Sequence, residues 1–380
     1  MLLLAEFQKK GKYLHSSFTD SIFSAVLRIQ SVWQLVALCA SMLITFTNSG
    51  IFCRQAGVYI DPWKPVDKAI ITHAHSDHAR VGHRYYLAHT HPATILKYRL
   101  GADINLETKE YNEPFTLNGV TISLHPAGHI LGSAQVRLEY NGEIWVVSGD
   151  YKVKPDHYTV PFEPVKCQHF VTESTFGLPI YNFPSAEEVN QQINSWVHKN
   201  AEEGVNSILI GYALGKAQRI LSGLQTELPV LLHSTVYNTN AAVNFDNSNY
   251  IRFTPDFKKE QLNPGVVIAT AMALGSPWLR RFEPYRIGMC SGWMQLRGAR
   301  RRRNVDMGFV MSDHADWTGL NEAVLATGAE NIYVTHGYKS VYASWLREKY
   351  KLNAVEVETL FEGEGIENES PENPAPEENS

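Results

Sequence analysis

The string His73-Ala74-His75-Ser76-Asp77-His78, arriving directly after the β-branched run Ala69-Ile70-Ile71-Thr72, constrains this chain more than any other feature. In an extended loop alternate side chains point the same way, so His73 and His75 can reach one ion. Asp77 and His78, entering a turn or helix start, are displaced towards a second position. Imidazole together with carboxylate suits Zn²⁺, with Mn²⁺ as the alternative. A polar helix start with fortuitous histidines would account for a single His-x-His pair. It does not account for the residues that end the later strands.

Five further β-like runs end on a residue that can ligate or titrate. Thr121–Leu124 leads through Pro126-Ala127-Gly128 to His129, and Ile144–Ser148 ends at Gly149-Asp150. Phe170–Thr172 ends at Glu173, Gly308–Met311 at Ser312-Asp313-His314, and Tyr333-Val334-Thr335 at His336. Such residues at the carboxyl ends of strands belong on one rim of a sheet. Gly128, Gly149 and Gly337, beside three of them, would let the backbone approach a crowded centre. Further strands are predicted at 43–46, 57–60, 134–140, 207–211 and 265–270, and helices at 186–202, 215–224, 320–327 and 341–350.

A chain of 380 residues suggests about two domains. Its formal net charge of -5 argues against a polyanionic partner until the distribution is inspected. Residues 361–380 hold seven Glu and no Lys or Arg, so the rest carries 34 basic against 32 acidic groups. Any basic surface must therefore be local. That Glu-, Asn- and Pro-rich end cannot bury apolar surface and is expected to be disordered. The cysteines at 39, 53, 167 and 290 lack metal or disulfide spacing, which fits reduced thiols in the cytoplasm. Residues 1–41 differ in character. The apolar run from Trp33 to Ala40 is too short and too interrupted for a span, so the segment is expected to be a packed helix or an extension upstream of a start at Met42, with no stable membrane association.

Several motifs carry a resemblance: Tyr59-Ile60-Asp61-Pro62-Trp63, Pro126-Ala127-Gly128-His129-Ile130-Leu131-Gly132-Ser133-Ala134 and Thr172-Glu173-Ser174-Thr175-Phe176-Gly177. Tyr212-Ala213-Leu214-Gly215-Lys216-Ala217-Gln218 and Ser312-Asp313-His314-Ala315-Asp316-Trp317 continue it in order. From about Met42 to Glu358 the chain resembles metallo-β-lactamase-fold nucleases of the β-CASP group, and more narrowly the bacterial ligase-associated DNA exonucleases. The resemblance implies an α+β fold: a four-layer αββα sandwich over 42–177 and 306–360, interrupted by an α/β β-CASP domain over 178–305. It implies two divalent ions, one held by His73, His75 and His129, the other by Asp77, His78 and His336, with Asp150 bridging. Asp61 would orient the histidine loop instead of binding metal. Glu173 and His314 match two β-CASP motifs, with His314, oriented by Glu173, contacting the scissile phosphate or protonating the leaving oxygen. Asp77 could also orient the nucleophile.

The implied reaction is phosphodiester hydrolysis by an exonuclease acting on DNA in repair or end processing, with an RNA-processing nuclease as the alternative. The implied partners are an ATP-dependent DNA ligase and a helicase. The residues themselves suggest where nucleic acid would be gripped. Arg297, Arg300, Arg301, Arg302 and Arg303 form a run suited to phosphate, and Lys216 and Arg219 follow a glycine that opens a helix. A charge run is otherwise a solvated face. Trp63, Trp278, Trp293 and Trp317 are expected in the core or at a domain interface before any role in stacking bases. A small-ester hydrolase and a non-enzymatic clamp are the competing classes. The late motifs count against the first and the intact ligand set against the second.

Overall fold

The computed structural model describes residues 42–302 and 304–361, with side chains except at 299, 300 and 302. Contacts divide the chain into residues 1–45 and 46–380. In the first part the described residues, 42–45, begin the short strand Ile44–Phe46. Residues 1–41, Arg303 and the acidic segment 362–380 lie outside the described residues. Among the described residues no helix is long and apolar enough to cross a membrane.

Within 46–380 a first sheet runs in chain order through Ile51–Cys53, Val58–Ile60, Lys68–Ile70, Tyr85–His89 and Leu106–Lys109. A second sheet has the order Asn353–Glu356, Asn331–Gly337, His169–Ser174, Glu143–Val147, Ala134–Tyr140, Val120–Pro126 and Phe115–Leu117. Its first four strands are parallel and the remainder antiparallel. Strand periodicity assigns its faces. Val146, Phe170, Ile332 and Val334 pack against Leu320, Val324, Tyr342 and Leu346 of two covering helices, Trp317–Thr327 and Lys339–Tyr350. Val147 and Val171, one residue on, share a small cavity with Ile51 of the first sheet. The helix Ala93–Leu100 buries Ile95 and Leu96 against Ala69, Tyr86 and Ala88 of that first sheet.

The third sheet is wholly parallel, in the order Ile251–Arg252, Val230–Leu232, Val266–Ala269, Asn206–Ile210, Tyr285–Cys290 and Met307–Phe309. Both faces are covered, as parallel sheets require. Ile208, Ile210 and Val267 join a core with Phe176, Tyr181 and Trp293, while Leu209, Val266 and Ile268 join another with Val189, Ile193 and Val197. Those last three residues lie on the helix Ala186–Glu202, which has the expected bounds. Ser185 and Glu188 close its start as a reciprocal cap. Met307–Phe309, which the sequence places after the 305/306 boundary, pairs with Tyr285–Cys290 in this sheet. The helix expected from Leu320 starts earlier, at Trp317, because the Asp316 side chain accepts the Gly319 N–H at 2.9 Å.

Trp278, Trp293 and Trp317 all sit in aromatic clusters, and Trp63 meets Phe361 edge-on. Cys53, Cys167 and Cys290 are buried free thiols. Burial raises all three pKa values, those of Cys167 and Cys290 to about 12. These three should therefore resist a thiol reagent at pH 8 in the native protein and react on unfolding. Mass mapping of labelled peptides before and after denaturant tests this, and rapid native labelling of Cys290 would contradict it.

Candidate metal centre

The first and second sheets meet where their ligating strands end. The Ala134 N–H donates to the Thr72 carbonyl at 2.8 Å. Gly149 has φ +57, and a Cβ there would fall 2.6 Å from Thr72 Oγ1. Glycine at this position lets the Asp150 strand end come against the His73 strand end. His73, His75, His129 and Asp150 offer ligand atoms that all lie within 4.8 Å of one another, as do His78, Asp150 and His336. Asp150 Oδ2 is 3.6 Å from His73 Nε2, 3.5 Å from His78 Nε2 and 3.9 Å from His129 Nε2. Asp77 borders the second set, its Oδ2 3.6 Å from His78 Nε2.

His336 reaches this rim through an irregularity in pairing. Thr172 lies opposite Val334 but Ser174 lies opposite Gly337, so the strand carrying His336 has one extra residue there. In regular register His336 would share the face of Val334, inside the helix-covered core. The extra residue turns it towards Asp150.

Hydrogen bonds set which nitrogen of each imidazole faces inward. Asp61 is central: its backbone is left-handed (φ 43), and its carboxylate accepts the Thr72 N–H at 2.7 Å, the Thr72 hydroxyl at 2.6 Å and His78 Nδ1–H at 2.8 Å. Thr72 Oγ1, having donated to Asp61, accepts His73 Nδ1–H at 3.0 Å. Thr335 repeats the device, donating to the Thr172 carbonyl at 3.2 Å and accepting His336 Nδ1–H at 2.9 Å. His129 Nδ1–H donates to the Asp313 carbonyl at 2.9 Å and His75 Nε2–H to the Leu214 carbonyl at 3.2 Å. Four imidazoles thus turn Nε2 inward and His75 turns Nδ1, the atom that each would offer to a cation.

Of these inward atoms His129 Nε2 and His75 Nδ1 lie 3.0 Å from each other, and the rest lack a hydrogen-bond partner. His73 Nε2, His78 Nε2, His336 Nε2 and Asp150 Oδ1 are buried without a hydrogen bond. His336 Nε2 approaches Asp150 Oδ1 to 3.0 Å without hydrogen-bonding geometry. Buried polar atoms left this way are costly, and their convergence fits a bound cation. Burial keeps His73 and His129 well below the usual imidazole range and His75 at about 4, so all three are neutral ligands at neutral pH. At His78 burial works against a proton, but Asp150 and Asp77 outweigh it and hold the imidazole well above its usual range. His78 and His336 in turn hold the Asp150 carboxyl well below its own, so a cation would bind there in place of a shared proton. The cluster can bind metal ions.

Beside it stands a second buried unit. His314 Nδ1 lies 2.9 and 3.0 Å from the two Glu173 oxygens, and Glu173 also accepts the Tyr151 N–H at 2.9 Å. The His314 ring centroid is 4.6 Å from that of His129, and ligand atoms of His314, Glu173 and Asp150 lie within 4.8 Å of one another.

The residues read as nucleic-acid contacts divide. Arg297 and Arg301 are exposed on the short helix Arg297–Arg302, while the side chains of Arg300, Arg302 and Arg303 lie outside the described residues. Lys216 and Arg219 require a correction. Lys216 is fully buried, Arg219 is nearly so, and both are ion-paired to Asp313. The helix start beside them is closed as well, since the Gly215 N–H donates to Gln218 Oε1 at 2.6 Å. Sequence reasoning also missed Phe361, which stacks on His78 with centroids 4.3 Å apart. Thr72 and Thr335 were legible as a pattern, a threonine preceding a strand-end histidine in both cases.

No protein-family model matches the sequence. Curated proteins do. The chain is 31% identical over 137 residues to endoribonuclease YSH1 of Yarrowia lipolytica, covering 35% of this chain and 16% of that protein. It is 27% identical over 209 residues to an RNase J-like protein of Methanocaldococcus jannaschii, covering 45% and 49%. The relatives of this chain thus include β-CASP nucleases of the metallo-β-lactamase group. A probable DNA ligase of Opitutus terrae is 32% identical over 310 residues, 80% of this chain and 30% of the ligase. The chain thus spans less than half the length of each of these relatives. A crystal structure of a protein of unknown function from Enterococcus faecalis shares the fold, with a TM-score of 0.52 and 12% identity over 71% of this chain and 75% of that one. Nuclease relatives and the buried cluster together support a metal-dependent hydrolase.

Proposed function

We propose that this chain is a two-metal phosphodiesterase that shortens DNA from an end. The observation that carries the reading is the adjacency of two units: five tautomer-set imidazoles around Asp150, and the His314–Glu173 pair against them. His73, His75 and His129 with Asp150 would hold one ion, and Asp77, His78 and His336 with Asp150 the other. The N/O donor set suits Zn²⁺, with Mn²⁺ as the alternative. When bound, two such ions acidify water and offset charge on a phosphate.

The chain's own residues supply the rest. Asp61, Thr72 and Thr335 hold the imidazoles in register. Glu173 engages His314 Nδ1 and so steadies an imidazolium. The proton delivered to the leaving oxygen is then the one on His314 Nε2, a general-acid role. Arg297 and Arg301, with their neighbours in the run, would take backbone phosphate from solvent. We read the first two sheets with their helices as the αββα sandwich and the third-sheet unit as the inserted β-CASP domain. The similarity to a probable DNA ligase supports work beside an ATP-dependent ligase in end repair, with a helicase as a further partner, in the reducing cytoplasm.

An RNA substrate is the second reading, favoured by the names of two relatives, an endoribonuclease and an RNase J-like protein. Metal-replete protein on 5′- and 3′-labelled single-stranded DNA and matched RNA separates the two. Progressive shortening of DNA from one labelled end is the expected result. Preferential cutting of RNA, or internal cuts, would overturn the DNA exonuclease reading and leave the hydrolytic centre standing.

A further inference from the structure

Two of the clustered imidazoles are oriented from outside the sheets that carry them. The acceptor for His75 is the Leu214 carbonyl, just beyond the third-sheet strand Asn206–Ile210, and the acceptor for His129 is the Asp313 carbonyl, just beyond Met307–Phe309. Both acceptors belong to segments pinned by one buried charge cluster. Lys216 Nζ lies 2.8 Å from Asp313 Oδ2 and Arg219 Nη1 lies 2.6 Å from Asp313 Oδ1, so two cations clamp one carboxylate. Arg219 reaches further, donating through Nη2 to the His129 carbonyl at 2.6 Å and through Nε to Asp156 at 2.7 Å.

The approach is tight. Gly215, preceding Lys216, has φ +98, and a Cβ there would lie 2.7 Å from Ile130 Cγ2, next to His129. Asp313 has no exposed surface and Lys216 none either. Buried ion pairs of this kind stabilise a fold little better than apolar residues of the same size. What they do supply is a fixed place for the atoms they hold, and metal ligands depend on such outer partners for ring orientation and basicity.

We propose that Lys216 and Arg219 are positioning residues for the His73–His75–His129 group: by clamping Asp313 they fix the carbonyls that set the tautomers of His129 and His75. The inference rests on reading that group as a metal site. It takes the two cations out of substrate binding and makes the third-sheet unit part of the metal centre's construction.

The test uses the full chain carrying Lys216→Met or Arg219→Lys, with Co²⁺ affinity measured by chelator competition, Co²⁺ absorption spectra, thermal melting, and kcat and KM on a labelled strand. The expected result is Co²⁺ binding about 10–100-fold weaker, the usual cost of losing an outer-shell partner. The Co²⁺ bands should be altered, KM for the strand unchanged, and kcat recovered by excess metal. Wild-type Co²⁺ affinity combined with a raised KM and a shallower salt dependence would overturn the proposal and return both residues to phosphate. If Lys216→Met fails to fold, Arg219→Lys and Asp156→Asn carry the test. Asp156 also accepts from Lys152 Nζ and from the Tyr158 and Thr159 N–H groups, so Asp156→Asn loosens its own loop together with the outer side of Arg219. A smaller loss of Co²⁺ affinity is expected, and none in either variant would overturn the proposal. A wild-type protein that binds Co²⁺ but cuts no nucleic acid would remove the nuclease reading, and the affinity comparison would still decide this one.

Discussion

Replacing Asp150 with alanine will abolish metal-dependent cleavage and lower the metal content of the protein. Asp150 belongs to three of the four ligand groupings among the described residues, and its carboxylate is within 3.9 Å of four imidazole nitrogens. It is nearly fully buried, so no water replaces its charge when it is removed. The imidazoles remain, but a set of neutral nitrogens binds a divalent cation less well than one with an anionic member. Metal ions supply several kcal/mol of transition-state charge stabilisation, so a loss on the order of 10³-fold or more in kcat is expected. Metal analysis of the purified variant beside a single-turnover assay checks both halves. A variant that keeps wild-type metal content and rate would show that the cluster is not the reaction centre.

Removing His314 should have nearly as large an effect by a different route. His314→Ala deletes the imidazole held by Glu173 but none of the residues grouped around His73 or His336. Metal content should therefore stay at the wild-type level while kcat on nucleic acid falls about 10²–10⁴-fold, the usual range for a general acid. The sharper measurement changes the leaving group. A nucleotide p-nitrophenyl ester leaves as a stable phenolate that needs no proton, so His314→Ala should be impaired far less on it. Equal impairment on both substrates would assign His314 to phosphate binding. Glu173→Gln should follow the same pattern at smaller amplitude, because it removes the charge that steadies the imidazolium and keeps a hydrogen-bond acceptor.

Much of this centre was legible before any coordinates. The histidine string, the strand-end residues and the motif resemblance named every member of the four groupings that could hold an ion, the His314–Glu173 pair among them. Strands with β-branched runs were located to within a few residues, as was the helix whose Val189, Ile193 and Val197 repeat every four residues. Elements with weak patterns were missed. Leu106–Lys109 has one apolar residue and lies at a sheet edge, and Tyr285–Cys290 mixes Arg and Gly with apolar residues, so neither alternates cleanly.

What the sequence determined by itself is the chemistry of the ligands, because a side chain's donor atoms and its place at a strand end are local properties. What only the tertiary structure decided is which charges are spent inside the protein and which way each ring faces. Lys216 and Arg219 read as surface cations because the carboxylate that neutralises them, Asp313, is 97 and 94 residues away in the chain. His336 is legible as a residue at a strand end, but its turn towards Asp150 depends on pairing with a strand more than 160 residues earlier. Burial and register are properties of partners brought together by folding, and neither is carried by the residue types alone.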